Sequence, residues 1–173
     1  GHHRQPMMWG AFILVGFLEG AGLDVQRFTP RHGRDSMVAR IEGSDPDAPS
    51  LCLMGHTDVV PVNADGWRHD PFGGEVIDGE VWGRGAIDML NLTSSMAVAF
   101  RRLASEGFKP KGDLIYFGVG DEEAGGVWGA EWMNEHHWDA IAADYVLTEL
   151  GGWSAADDHG HRTVTINVGE KGL

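Results

Sequence analysis

The sequence predicts an α/β domain built in layers, and three observations indicate this fold class. Apolar runs typical of β-strands alternate along the chain with segments that have helical periodicity. The run "LCLMGH" at 51–56 is apolar almost throughout, as expected for a strand buried on both faces of a sheet. The chain has 173 residues, 42% of them hydrophobic, which suits a single domain with a sizeable core.

The first elements follow in chain order. Residues 1–6, "GHHRQP", are interpreted as a tag remnant or a shortened start, which leaves 7–173 as the domain. The apolar run after residue 6 predicts a buried helix that ends near Gly20 or Gly22, because glycine commonly follows the last helical turn. A signal-peptide core is the alternative interpretation of this run. It is too short for a membrane span, which needs roughly 20 apolar residues.

The remaining elements are predicted from local pattern. Residues 74–85 indicate a hairpin with Asp78 and Gly79 at its turn. A helix ending at Gly107 is predicted from apolar residues at i, i+4, i+7 and i+11, namely Leu92, Met96, Ala99 and Leu103. Strands are predicted at 24–30, 35–43, 50–56, 113–120, 144–150 and 162–169, and a shorter helix at 127–137.

The first chemical signal is the pair His56 and Asp58 at the end of the strand 50–56. In an extended chain, residues two apart project to the same face. An imidazole beside a carboxylate is typical of a metal-binding histidine whose second nitrogen is held by an outer carboxylate. A solvated turn at the strand end is the alternative for this pair.

Further carboxylates follow other predicted elements. Asp88 stands where a helix begins, so a helix N-cap is its alternative role. Glu122 and Glu123 follow the strand 113–120, where a solvated acidic turn is the alternative, and Glu149 ends "DYVLTEL". The functional interpretation of the glutamate pair assigns one to a metal ion and its neighbour to proton transfer from water.

Taken together, these positions predict a metal site. Ligands bind outside the carboxyl ends of strands in open α/β sheets, and most of these residues follow strands. One histidine with several carboxylates suits a hard or borderline divalent ion. Zinc fits, manganese or cobalt can substitute, and a shared carboxylate can bridge two such ions.

Three motifs, "GHTDVVP", "GRGAIDM" and "DEEAGG", occur in an order and spacing that resemble one family. It is the zinc-dependent family of aminoacylases, acetylornithine deacetylases, succinyl-diaminopimelate desuccinylases and glutamate carboxypeptidases. The resemblance implies a three-layer, zinc-exopeptidase-like domain with a central, mostly parallel mixed sheet flanked by helices. It also implies that the domain is incomplete here and that the family's inserted lid domain is absent.

The resemblance assigns roles to individual residues. His56 and Glu149 would ligate the first zinc, and Asp58 would orient His56. Asp88 would bridge two zinc ions and precede a cis peptide bond to Met89. In the paired glutamates, Glu122 would be the general base and Glu123 a ligand of the second zinc. The histidine that would bind the second zinc is not found in this chain. A position on the surface is predicted for His136, His137, His159 and His161.

The function implied by the resemblance is hydrolysis of an amide bond through a metal-bound water and a glutamate base. The substrate would be an N-acyl amino acid or a short peptide, and the full-length enzyme would form a homodimer. A truncated metal-binding half-domain without activity of its own is the alternative.

Composition excludes other classes of partner. The net charge is −13, from 13 basic and 26 acidic residues, which disfavours nucleic acid and anionic membranes because both attract Lys and Arg. Cys52 is the single cysteine, so an internal disulfide is excluded and a reducing, cytoplasmic location is favoured. Its position in an apolar run predicts a core thiol.

Overall fold

The computed structural model describes residues 7–63, 65–150 and 152–165. The described elements, in chain order, are α1 (Met7–Glu19), β1 (Val25–Arg31), β2 (Arg34–Ile41), β3 (Leu51–His56), β4 (Glu75–Ile77), β5 (Glu80–Trp82), α2 (Leu90–Ser105), β6 (Leu114–Val119), a 3₁₀ turn (Glu122–Ala124), a π-helical turn (Val127–Glu131), α3 (Trp132–His136), α4 (Trp138–Ile141), β7 (Tyr145–Leu147), β8 (Ser154–Ala156) and β9 (Arg162–Val164). Helix α1 confirms the predicted first helix, which ends directly before Gly20. Among the described residues, no helix is both long and apolar enough to cross a membrane.

Five strands form the central sheet, in the order β1-β2-β6-β3-β7. Strand β3 runs parallel to both β6 and β7, whereas β2 runs antiparallel to both β1 and β6. The predicted mixed sheet is therefore confirmed, with two parallel and two antiparallel pairings described. The β1–β2 pairing is antiparallel because a tight turn joins the two strands.

Helices cover both faces of this sheet. On one face, Leu18 of α1 and Phe100 of α2 pack in a cluster with Tyr116 of β6. On the other face, Met133 of α3 packs in a cluster with Phe117 of β6. Since neighbouring residues of β6 enter opposite clusters, the three-layer arrangement follows from the alternation of side chains along a buried strand.

Helix α2 lies where it was predicted, but its buried face differs. Leu92 is exposed, and the fully buried positions of the helix are Thr93, Ala97 and Phe100. The cause is a polar contact, because the hydroxyl of Thr93 donates a hydrogen bond to the carbonyl of His56 at 2.8 Å. Apolar periodicity alone cannot identify a face that turns inward through a threonine.

The close approach of α2 to β3 depends on a glycine. A Cβ at Gly55 would lie 2.6 Å from the Thr93 hydroxyl, which is closer than real side chains approach. Glycine at this position therefore lets the helix reach the last residues of the strand. The consequence is that the start of α2 supports the backbone of the predicted metal ligand His56.

The later elements differ in extent from the predictions. The hairpin at 74–85 is confirmed as β4 and β5, with Asp78 and Gly79 both at positive φ in its turn. The helix predicted at 127–137 is a π-helical turn followed by the short helix α3. The strand predicted at 144–150 is reduced to β7, whose three residues are all exposed. The strand predicted at 162–169 contains β9, which pairs with β8 in a separate hairpin. Residues 166–169 of this predicted strand lie outside the described residues.

Cys52 is buried in the core, as predicted. Burial raises the pKa of its thiol to about 11, although the charge of Arg40 acts in the opposite direction. A thiol with this pKa stays protonated at neutral pH, so Cys52 acts as a small apolar side chain in this layer.

Candidate metal centre

The predicted site residues meet at one edge of the central sheet. His56 is the last residue of β3, Glu122 and Glu123 follow β6, and Glu149 follows β7. These three strands are parallel, so their carboxyl ends share an edge. Asp88 reaches the same place from the segment between β5 and α2.

Distances from the imidazole of His56 define the cluster. Its Nε2 lies 3.1 Å from a carboxylate oxygen of Asp88, 3.7 Å from one of Glu122 and 3.8 Å from one of Glu149. Two overlapping triplets have ligand atoms within 4.8 Å of one another. One contains His56, Glu122 and Glu149, and the other contains His56, Asp88 and Glu123.

The protonation of His56 follows from its neighbours. The imidazole is buried, and its Nδ1 lies 2.9 Å from the backbone carbonyl of Asp58. A carbonyl oxygen can only accept, so Nδ1 carries a proton and donates it. In the neutral ring, Nε2 then presents its lone pair to the surrounding carboxylates. Ligand histidines in metal sites typically donate their other N–H to a carbonyl or carboxylate in this way, so the donor set fits a divalent cation.

The carboxylate of Asp58 has a different contact from the one the sequence suggested. Its Oδ1 lies 3.7 Å from His56 Nδ1, beyond hydrogen-bond distance. Its two oxygens instead accept hydrogen bonds from the backbone N–H groups of Glu122 and Glu123, at 3.2 and 3.1 Å. Asp58 therefore links the end of β3 to the turn that carries both glutamates.

Charge within the cluster shifts several pKa values. Burial lowers the pKa of His56, but the Asp58 carbonyl and the carboxylates of Asp88, Asp58 and Glu149 outweigh it, so the pKa is raised. The pKa values of Glu123 and Glu149 are also raised, first by burial and then by the negative charges of neighbours such as Asp88, which His56 opposes. Carboxylates that repel one another in this way are stabilised when a cation binds between them.

Several supporting contacts were not identified from the sequence. Met89 accepts a hydrogen bond from the backbone N–H of His56 through its sulfur, at 3.3 Å. The peptide bond between Asp88 and Met89 is cis, which confirms the expectation from the family resemblance. Tyr116 donates from its hydroxyl to the carbonyl of Thr93 at 3.0 Å. The sequence signals for these contacts are weak, because each joins residues on different elements.

The four histidines that were predicted to lie on the surface are away from this cluster. His136 ends α3 and stacks on Trp132, and His137, which is partly buried, also contacts that ring. His159 and His161 are exposed in the β8–β9 hairpin, where His161 pairs with a nearby aspartate. In the part of the chain that the structure describes, neither potential metal-binding triplet includes any of the four.

Comparison with known proteins places the same residues in a family. The family model described as peptidase family M20/M25/M40 matches residues 52–168. A succinyl-diaminopimelate desuccinylase of Rhodopseudomonas palustris is 41% identical over 117 residues, which cover 64% of this chain and 30% of that protein. A similar relative from Maricaulis maris is 37% identical over 128 residues, covering 73% of this chain and 32% of the relative.

Solved structures agree with the sequence comparison. An M20 family metallo-carboxypeptidase from Sulfolobus solfataricus matches with a TM-score of 0.68 at 25% identity, over 87% of this chain and 33% of that one. Human carnosine dipeptidase 1 matches with a TM-score of 0.62 at 26% identity, over 85% of this chain and 33% of its own. The chain thus spans about a third of the length of these relatives. Because the family model covers most of its residues, including every predicted site residue, the chain belongs to peptidase family M20/M25/M40.

Proposed function

We propose that this chain carries the metal centre of a zinc-dependent hydrolase that cleaves the amide bond of an N-acyl amino acid or a short peptide. The observation that carries the proposal is the buried imidazole of His56, whose Nε2 faces the carboxylates of Asp88, Glu122 and Glu149. The names of the similar proteins, a desuccinylase, a metallo-carboxypeptidase and a dipeptidase, support this class of substrate.

The donor set favours zinc, with cobalt or manganese as substitutes. Imidazole nitrogen combined with carboxylate oxygen is a common zinc environment. A divalent ion held here supplies Lewis-acid chemistry, since it acidifies water and stabilises negative charge that develops on the amide oxygen. We assign His56 and Glu149 to a first ion, Glu123 to a second ion, and Asp88 to a bridging position between them.

Glu122 is the residue that we assign as general base. Its side chain is 49% exposed, whereas the imidazole of His56 beside it is 1% exposed. A base that activates water must lie next to the metal ligands and still be reached by substrate, and Glu122 meets both conditions. Its carboxylate would take the proton from the attacking water and deliver it to the nitrogen of the leaving amine.

Asp58 has a positioning role in this proposal. Its buried carboxylate fixes the backbone of Glu122 and Glu123, and its carbonyl fixes the tautomer of His56. One residue thereby sets the base and two ligands relative to one another.

A second candidate is a metal-binding half-domain without activity of its own. The observation that favours it is the single imidazole in the described cluster, since the family resemblance implies a further histidine for the second zinc. Calorimetry with zinc separates the two candidates. Two tight sites support a competent centre in this chain, and one weak site supports the half-domain.

Two further expectations belong to the complete protein. A reducing, cytoplasmic location is proposed from the single cysteine, Cys52, and its buried thiol. A homodimer is proposed from the family resemblance alone, and sedimentation of the full-length protein measures it.

The experiment that tests the assignment of the base is the substitution Glu122→Gln in the full-length protein. Hydrolysis of N-succinyl and N-acetyl amino acids and of dipeptides is measured, together with zinc affinity. Loss of the base is expected to lower kcat by about 10²–10⁴-fold, while zinc remains bound because Glu122 is not a proposed ligand. Glu135→Gln, an exposed glutamate on α3, is the matched control and keeps activity. Retained hydrolysis in Glu122→Gln would reject the assignment.

A further inference from the structure

We propose that Arg34 and Asp121 form a positioning ion pair that holds the turn carrying Glu122 and Glu123 in its working orientation. This inference rests on the proposed function and deepens it, because neither residue belongs to the metal cluster. Arg34 begins β2, and Asp121 directly precedes the glutamate pair. The pair therefore joins the antiparallel part of the sheet to the proposed base and ligand.

The ion pair is largely withdrawn from solvent. Nη1 of Arg34 lies 2.9 Å from Oδ1 of Asp121, and the side chains are 22% and 3% exposed. A carboxylate this deeply buried is costly to keep ionised without a cation and hydrogen-bond donors close by. Arg34 supplies that cation.

Asp121 closes the turn through both its side chain and its backbone. Its carboxylate accepts a hydrogen bond from the N–H of Trp128 at 3.0 Å. Its carbonyl accepts from the N–H groups of Ala124 and Gly126, at 3.3 and 2.7 Å. Its φ of 79° lies in the left-handed region, which aspartate tolerates better than most residues. These contacts determine how the chain reverses directly after β6.

The turn is consequently held between two buried carboxylates. Asp58 accepts the N–H groups of Glu122 and Glu123 on one side, and Asp121 secures the following residues on the other. The beginning of β2 adds one more contact, because the hydroxyl of Ser36 accepts the N–H of Gly120 at 3.1 Å.

Arg34 also separates the role of Asp121 from the roles of the two glutamates that follow it. In the sequence Asp121-Glu122-Glu123, only Asp121 is fully buried, and Arg34 compensates its charge. The two glutamates remain at the carboxyl edge of the sheet, close to His56.

The test compares Arg34→Gln and Asp121→Asn with Arg40→Gln in the full-length protein. Arg40 lies on the same strand and pairs with Asp113, away from the metal cluster, so it is a matched control for losing a β2 ion pair. Asparagine at position 121 keeps an acceptor for Trp128 and tolerates the left-handed conformation, which protects folding. Readouts are kcat, KM, zinc affinity and hydrogen exchange of the Glu123 and Trp128 amides.

The expected result separates positioning from stability. At matched folded fraction, Arg34→Gln and Asp121→Asn lower kcat or zinc affinity by about 10–100-fold with little change in KM, as for other outer-shell partners. Both variants speed amide exchange at Glu123 and Trp128, Arg34→Lys restores part of the loss, and Arg40→Gln matches the wild type in kcat and zinc affinity.

Two outcomes distinguish the failures. A wild type that binds zinc and hydrolyses amides, with Arg34→Gln no different from Arg40→Gln, overturns the positioning role alone. A wild type that neither binds zinc nor hydrolyses amides overturns the proposed function, and the positioning role falls with it. Unchanged exchange at both amides in Arg34→Gln and Asp121→Asn contradicts the structural link itself.

Discussion

The backbone carbonyl that accepts a hydrogen bond from His56 Nδ1 determines which ring nitrogen faces the other site residues. The carbonyl of Asp58 accepts from that nitrogen, and the opposite nitrogen lies 3.1 Å from Asp88. A buried imidazole that is fixed at one nitrogen and surrounded by carboxylates at the other is suited to binding a cation. His56 was an ambiguous signal in the sequence, because its position at the end of an apolar strand does not show which groups contact its ring.

The substitution Asp58→Asn tests the link between the end of β3 and the turn that carries Glu122 and Glu123. An asparagine side chain has one acceptor oxygen, so one of the N–H groups of Glu122 and Glu123 would lose its partner. We expect the metal-free protein to lose about 1–3 kcal/mol of unfolding free energy, measured by urea denaturation. Asp45→Asn, in an exposed turn where Asp45 accepts from the Asp47 N–H, is the control and should change stability by a few tenths of a kcal/mol. Equal effects at both positions would contradict this account.

Residue types and motif order predicted which side chains would meet, but not how they are supported. His56, Asp88, Glu123 and Glu149 were expected together, and their ligand atoms do cluster. The partner of Asp121 could not be predicted, because Arg34 lies on another strand and only the folded sheet brings the two together. The hydrogen bonds that Asp58 accepts from the backbone of Glu122 and Glu123 likewise could not be predicted, because they join distant parts of the chain.

Single glycines test how tightly the elements pack. In the π-helical turn, a Cβ at Gly129 would lie 1.9 Å from the carbonyl oxygen of Gly120, and backbone cannot move aside easily. We expect Gly129→Ala to cost about 3 kcal/mol or more, measured by urea denaturation. Gly16→Ala is the control, because nothing lies within 4 Å of its Cβ and alanine favours the interior of α1 by about 0.5–1 kcal/mol. A Gly129→Ala protein as stable as the wild type would show that the π-helical turn is packed differently.

The connection between β2 and β6 provides a pH test. Asp113 accepts from the N–H of Gly43 at 2.7 Å and pairs with Arg40. The Gly43 N–H lowers the pKa of Asp113 most, burial opposes this shift, and Arg40 lowers the pKa further. A pKa lowered by folding stabilises the protein above the unfolded value of about 3.9, and this contribution is lost as pH falls through the folded value.

Asp113→Asn should therefore be less stable than the wild type at neutral pH, by about 1 kcal/mol because the pair is partly exposed to solvent. The difference should be constant above about pH 5 and should shrink below about pH 4. Unfolding free energies of both proteins across this range measure it, with the exposed Asp47→Asn as control. A difference that persists unchanged at the acid end would contradict the assigned pairing.

Strong apolar runs allowed most elements to be located, since β3 and β6 lie where continuous hydrophobic sequence predicted buried strands. The prediction was weaker where a polar residue turned inward, as at Thr93 of α2. It was also weaker for β7, which is apolar in sequence and yet exposed at all three residues. Apolar composition predicts burial only when another element covers the strand, and local sequence does not contain that information.

At the scale of the whole molecule, the mixed sheet explains where the site lies. Three parallel strands end at one edge, and the helical layers on both faces leave that edge open to Asp88 and Glu122, whose side chains are 66% and 49% exposed. The antiparallel strand β2 then supports the edge from the side through Arg34. Fold class and the position of the candidate metal cluster were both predictable, because carboxyl ends of parallel strands meet wherever such a sheet forms.

The most direct test of the central claim is isothermal titration calorimetry of this chain with Zn²⁺, comparing the wild type with His56→Ala. We expect saturable zinc binding by the wild type and an affinity more than about 100-fold lower in His56→Ala. Loss of a ligand should cost more than the loss of a residue that only hydrogen-bonds a ligand, which typically costs about 10–100-fold. His159→Ala, an exposed histidine in the β8–β9 hairpin, should bind like the wild type. A wild type without saturable binding, or a His56→Ala variant that binds zinc as tightly as His159→Ala, would contradict a metal centre at His56.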